Sequence, residues 1–308
     1  MDADPNRIVH LTGEEKTRLV EEKVTCPFVG SAVAEGKLAV RNELKNPLAC
    51  IDEVGRLGNT GDGDLGDLLV VFAAGNHARM NGGSGKLDTQ TPNGLFSLEF
   101  PGSQGSHCGH SGILQGDPTT PGSGRFSQTE FTRLARCAKG GLVKRSDVGR
   151  FIAENLVRDP KAKVFGSHVA AVLAADLFEF VRTGPALLAT LFGADAAAVG
   201  AAHRAMEERL TKLLGEDNLV GSAGEFGLLF ALLANQPGRK EIDGEPAVAL
   251  QDLEAMFVHK RLPAGWETWK KSRVDWVKNT LALLISAAEE YVTLVRATHH
   301  PSGAGSAP

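Results

Sequence analysis

Cys26 and Glu225 are the two residues of this chain whose types and neighbours most clearly invite chemistry. Cys26 directly precedes Pro27. Proline is favoured at the first position of a helix, where the amide it lacks would have had no partner. Cys26 is therefore expected at a helix N-cap, beside unsatisfied amides and the positive end of the helix dipole, both of which favour thiolate over thiol. Thiolate is the form that soft metals and heme iron take as a ligand. The bland alternative is a buried, inert thiol, and Cys50, Cys108 and Cys137 keep that reading because nothing comparable surrounds them. Glu225 is the one carboxylate in the apolar run Gly221-Ser-Ala-Gly-Glu225-Phe226-Gly-Leu-Leu-Phe230. A charge there costs free energy unless it is paired or solvated, and desolvation favours the protonated carboxyl, which suits proton exchange near neutral pH. The bland alternative is a carboxylate placed near a helix start by the dipole.

The stretch His107-Cys108-Gly-His110-Ser-Gly-Ile-Leu-Gln115-Gly116-Asp117-Pro-Thr119 clusters imidazoles with oxygen donors. A zinc site lacks a fourth ligand at useful spacing. Gln115, the carbonyl of Gly116, Asp117 and Thr119 are hard oxygen donors of the kind Mg²⁺ takes, unless Asp117-Pro-Thr only caps a turn. His168 and Glu179 fall eleven residues apart on one expected helix face and read as structural. Gly83-Ser-Gly85-Lys86 lacks the spacing of a phosphate loop, and no Gly-x-Ser-x-Gly of a serine hydrolase occurs.

The elements that must position these residues read as helices. Pro27 opens one, and a second is expected from about Pro47 to Leu57, before the Gly58-Asn-Thr-Gly-Asp-Gly turn cluster. A third runs from Leu65 to Arg79. Residues 81–125 are rich in Gly, Ser, Thr and Pro without a sustained helical period, and predict a long functional loop. Ser127-Gln-Thr-Glu130 has the capping-box pattern and opens a helix to about Ala138, stopped by Gly140-Gly141. Further helices are expected over Ser146–Arg158, Ser167–Arg182, Pro185–Phe192, Asp195–Leu214, Leu219–Asn235, Leu250–Val258 and Glu267–Ala297. The sum is an all-α domain of about ten helices over residues 1–298, with a disordered tail over 299–308.

Composition bounds what this domain does. The 308 residues carry 33 basic and 37 acidic side chains for a net charge of −4, and 42% are hydrophobic. That balance is ordinary for a globular enzyme and provides no basic footprint for nucleic acid. No apolar run is long enough to cross a membrane, no leader is visible, and no Asn-x-Ser/Thr occurs, which favours a cytoplasmic protein while leaving room for a processed secreted one.

Three segments, in this order, resemble the heme-thiolate peroxidase family that contains fungal chloroperoxidase and the unspecific peroxygenases. Thr25-Cys26-Pro27-Phe28 resembles its Pro-Cys-Pro motif with the first proline replaced. His110-Ser-Gly-Ile-Leu-Gln115-Gly116-Asp117-Pro-Thr119, leading to Phe126-Ser-Gln-Thr-Glu-Phe131, resembles the family's Glu-His-Asp or Glu-Gly-Asp segment and the helix that follows. Ala223-Gly-Glu225, then Arg261-Leu-Pro263, resembles its distal glutamate region.

The resemblance implies a chloroperoxidase-like all-α fold enclosing heme b, with Cys26 as axial ligand and Pro27, Phe28, Gln115 and Phe226 beside the cofactor. It implies Glu225 as the distal acid–base group, hydrogen peroxide as oxidant and a small hydrophobic or aromatic molecule as substrate. It also implies Mg²⁺ near a heme propionate, at Gln115, Gly116, Asp117 and Thr119, although Gln115 and Thr119 stand where the family has Glu and Ser. The family pairs its distal glutamate with an arginine seven residues upstream or with the histidine of Glu-His-Asp. Asn218 and Gly116 occupy those positions here, so His110 or His168 takes the role, or the heme does chemistry without peroxide, as in a dehydratase, isomerase or sensor. A non-heme helical binding protein with a free Cys26 thiol is the remaining alternative.

Overall fold

A computed structural model describes residues 7–24, 26–57, 80–81, 86–87, 95–98, 111–114, 125–159, 162, 164, 218–234, 240–268 and 273–299. Its helices are α1 Gly13–Glu22, α2 Pro27–Ala34, α3 Ile51–Leu57, α4 Gln128–Ala135, α5 Arg145–Arg158, α6 Asn218–Leu233, α7 Leu250–Phe257 and α8 Arg273–His299, with a 3₁₀ turn at Trp266–Thr268. Strands β1 Arg41–Glu43, β2 Asn46–Cys50 and β5 Leu95–Ser97 form one antiparallel sheet in the order β1-β2-β5. Strands β6 Leu142–Lys144, β7 Glu241–Ile242 and β8 Glu245–Ala249 form another in the order β6-β8-β7, and β3 Met80–Asn81 pairs with β4 Lys86–Leu87.

The all-α expectation is therefore overturned: the fold is mixed, helices with small antiparallel sheets. The strands escape the sequence pattern because they are two to five residues long, whereas hydrophobic periodicity needs a window of roughly 11–18 residues. The expected helix over Pro47–Leu57 splits into β2 followed by α3. Pro47 starts no helix there. It sits in the middle strand, opposite Asn42; the Pro47 carbonyl still accepts from Leu98 N–H at 2.9 Å, and Asn42, at φ 72°, donates its own N–H to the Arg7 carbonyl at 2.8 Å. The β7–β8 hairpin turns on Asp243-Gly244, both at positive φ, the two-residue turn whose twist matches paired strands.

The core of the fold is α8 laid against α5 and α6. Glycines allow the close approach. A Cβ on Gly227 of α6 would stand 2.8 Å from Thr280 Cα, and one on Gly149 of α5 would stand 2.8 Å from Ser286 Cβ. α6 is buried along its entire length, and a helix apolar all round belongs in the centre of a domain. α2, also almost wholly buried, packs against α7. Among the described residues no helix is long and apolar enough to cross a membrane.

Candidate functional site

The expected N-cap is present. Cys26 has extended backbone angles, φ −93° and ψ 119°, Pro27 follows at the first helical position, and the Cys26 carbonyl accepts the first intrahelical bond from Gly30 N–H at 2.8 Å. The amides of Phe28 and Val29 are aimed at the sulfur and lower its pKa, although neither closes a cap hydrogen bond to it. Burial wins over them. Cys26 is 5% exposed, and desolvation is the largest influence on the thiol, pushing it up from 9.0 to about 12. The two amides of the cap favour thiolate, and burial opposes them as the larger influence.

Glu225 is the second half of the site. It sits mid-way along α6 at 2% exposure, and its negative charge is among the influences that raise the Cys26 pKa. Cys26 and Glu225 are both buried, on helices that share one hydrophobic core. The chemistry of these residues fits heme iron: the Cys26 thiol would ligate it, with two amides directed at the sulfur and the Glu225 carboxyl buried in the same core. Among the described residues no group of three or more His, Cys, Asp and Glu side chains could hold a metal ion. That bears on ions caged by several side chains, whereas iron in a porphyrin asks for a single protein ligand.

Phe28 packs its ring edge-on against Trp266, centroids 5.2 Å apart. Phe226 packs edge-on against Phe151 of α5, at 6.3 Å and 88°. Both rings thereby tie the ends of the site to neighbouring elements: Phe28 fixes the turn of chain that carries Cys26, and Phe226 fixes α6 next to Glu225. His110, Gln115, Gly116, Asp117, Thr119 and His168 lie outside the described residues, as do His107, Cys108, Glu179 and residues 300–308.

Sequence reasoning missed a polar cleft at the N-terminal end of α6. It has a volume of about 250 Å³ and is lined by Ser111, Gly112, Glu130, Asn155, Leu156, Arg158, Asp159, Asn218 and Ser222. One wall is a charge network. Arg133 donates to Glu130 at 2.7 Å, to Glu154 at 2.8 Å and to Asn155, and Arg158 donates to both oxygens of Glu130 at 2.9 Å. Asn155 in turn donates to the Ser111 carbonyl at 2.6 Å. Residues from four separate segments meet here, so nothing local in the sequence could announce it. No family model, no curated protein and no solved structure matches this chain.

Proposed function

We propose that the chain is a heme-thiolate peroxidase or peroxygenase that uses hydrogen peroxide to oxidise or oxygenate small hydrophobic or aromatic molecules. One observation carries this reading: a thiol at the head of α2, Cys26, and a carboxyl on α6, Glu225, are both buried on helices that share one apolar core. Bound heme b would supply the redox-active iron at which peroxide is activated.

The chain's own residues have distinct tasks. Cys26 Sγ would hold the iron, as a thiolate, and the Phe28 and Val29 amides would stabilise the negative sulfur. Pro27 and Phe28 hold this turn rigid. Glu225 would accept a proton from bound peroxide and give one back, the part a positioned acid–base group plays in its activation. The apolar side chains around it on α6, with Phe226 fixed on Phe151, keep bulk water away. His110 or His168 would assist Glu225, and Gln115, Gly116, Asp117 and Thr119 would hold Mg²⁺ if one binds.

A second reading, a heme-thiolate protein without peroxide chemistry, draws on Asn218. This residue stands seven positions before Glu225 and is neutral and 4% exposed, so it provides no cation to assist peroxide cleavage.

The experiment is the absorption spectrum of the purified, dithionite-reduced protein under CO, in wild type and Cys26→Ser. A strongly red-shifted Soret band in the wild type alone supports thiolate ligation by Cys26. A shorter-wavelength band, or no heme, overturns it. Peroxide-dependent turnover of a phenolic dye then separates the first reading from the second.

A further inference from the structure

A carboxyl that gives and takes protons must exchange them with solvent, and Glu225 is buried to 2% exposure deep in the domain. The polar cleft offers a route. Asn218, Ser222 and Glu225 are spaced four and three residues apart on α6, which puts them on one face of the helix in successive turns. Asn218 and Ser222 both line the cleft, so this face runs from the cleft inward to Glu225. At its outer end the cleft reaches Arg158, whose side chain is 51% exposed.

The lining suits water. About 250 Å³ exceeds the ~30 Å³ that one water occupies in the liquid several-fold, and a buried water needs two to four polar partners. Ser111 is 6% exposed, sits at the cleft wall at φ 55°, and its buried hydroxyl has no hydrogen-bond partner among the described residues. A buried hydroxyl left unsatisfied costs on the order of 1–3 kcal/mol, and ordered water is the usual remedy. The Glu130 carboxylate is matched by Arg133 and Arg158, and besides these charges and Asp159 the polar lining is Ser111, Ser222, Asn155 and Asn218, all neutral.

We propose that the cleft holds a chain of ordered water that connects Glu225 with solvent, with the Ser222 hydroxyl as its inner relay. A proton arriving at Ser222 Oγ binds to a lone pair as the hydroxyl's own proton passes to a water and from it to the Glu225 carboxylate one helical turn further on, so hydroxyl and water are unchanged after each transfer. Ser222 is a positioning and relay residue; it touches no reacting atom. The route stands on the geometry of α6 and the cleft, and its use in peroxide chemistry rests on the proposed role of Glu225.

The test pairs Ser222→Val with Ser222→Thr, side chains of one shape with and without the hydroxyl. The purified full-length protein is mixed into D₂O and the carboxyl C=O band of Glu225, identified by its loss in Glu225→Gln, is followed by infrared spectroscopy. Exchange should slow at least tenfold in Ser222→Val and return towards wild type in Ser222→Thr. Equal rates in all three overturn the relay. If Glu225 is ionised and gives no band, water-to-amide NOEs at Gly112 and Ser222 decide. Their presence in wild type and loss in Ser222→Val supports the water chain, and their absence in wild type overturns it. Should Ser222→Val fail to fold, Ser111→Ala replaces it, with loss of the Gly112 water NOE expected and its persistence overturning the chain. None of these readouts needs heme or peroxide, so a failed relay is distinguishable from a failed peroxidase reading, which the CO spectrum and dye turnover decide alone.

Discussion

At the scale of single residues, the site is a contest between a helix cap and burial, and burial decides it. The amides around Cys26 lower its pKa, yet desolvation carries it to about 12. Folded protein therefore keeps the thiol proton over a range in which the unfolded chain, ionising near 9, has lost it. More protons are bound folded than unfolded in that window, so this contribution to stability is complete below about pH 9 and is lost as pH rises towards 12. Denaturant unfolding of the heme-free protein should show stability falling by up to about 1.4 kcal/mol per pH unit there, and Cys26→Ala should flatten the slope. A slope unchanged in that variant would assign the pH dependence to other groups. Heme-free Cys26 should also react slowly with iodoacetamide at pH 8, because little thiolate is present. For Glu225→Gln, dye turnover with peroxide should fall by on the order of 10²–10⁴, the usual value of a positioned acid–base group, while the Soret band keeps its position. A variant with near-normal turnover would remove Glu225 from the mechanism.

Elements depend on close approaches that one methyl can disturb. Gly227 and Gly149 let α8 lie directly on α6 and α5. Gly227→Ala should cost on the order of 1–3 kcal/mol, because overpacking of a dense interior forces backbone or side-chain shifts. Chemical denaturation measures it, and a neutral result would mean that α8 slides without penalty. The Asp243-Gly244 turn is a second such point. Gly244 has φ +75° with open space around it, so a larger residue meets backbone strain and no clash. Gly244→Val should cost about 1–2 kcal/mol, and a loss much beyond that would show that the hairpin supports more than its own ladder. This turn was legible in the sequence as Asp-Gly followed by Glu-Pro-Ala-Val-Ala, a hairpin signal. The apolar run beside it is too short to add a strand period of its own. α4, capped by Ser127, and α5, closed before Asp159-Pro160, were legible because cap and stop residues bracket their apolar faces.

Over the whole molecule, the proposed function depends on distant segments meeting. Cys26 and Glu225 are nearly two hundred residues apart, and the polar cleft draws on residues from 111 to 222. If heme bridges α2 and α6, adding hemin to the heme-free protein should raise Tm with hemin concentration, because a ligand that binds only the folded state stabilises it by mass action. Cys26→Ser should lose most of that rise, and an equal rise in both proteins would place hemin elsewhere. The sequence by itself determined the head of α2, the capped and stopped helices α4 and α5, and the two residues worth testing, because these follow from local cap chemistry and from one charge in an apolar run. Only the tertiary structure decided that short strands break the all-helical pattern, since each gains its partners from remote chain. It alone decided that burial outweighs the cap at Cys26, because desolvation is set by everything packed around the sulfur and not by the two amides its own helix supplies.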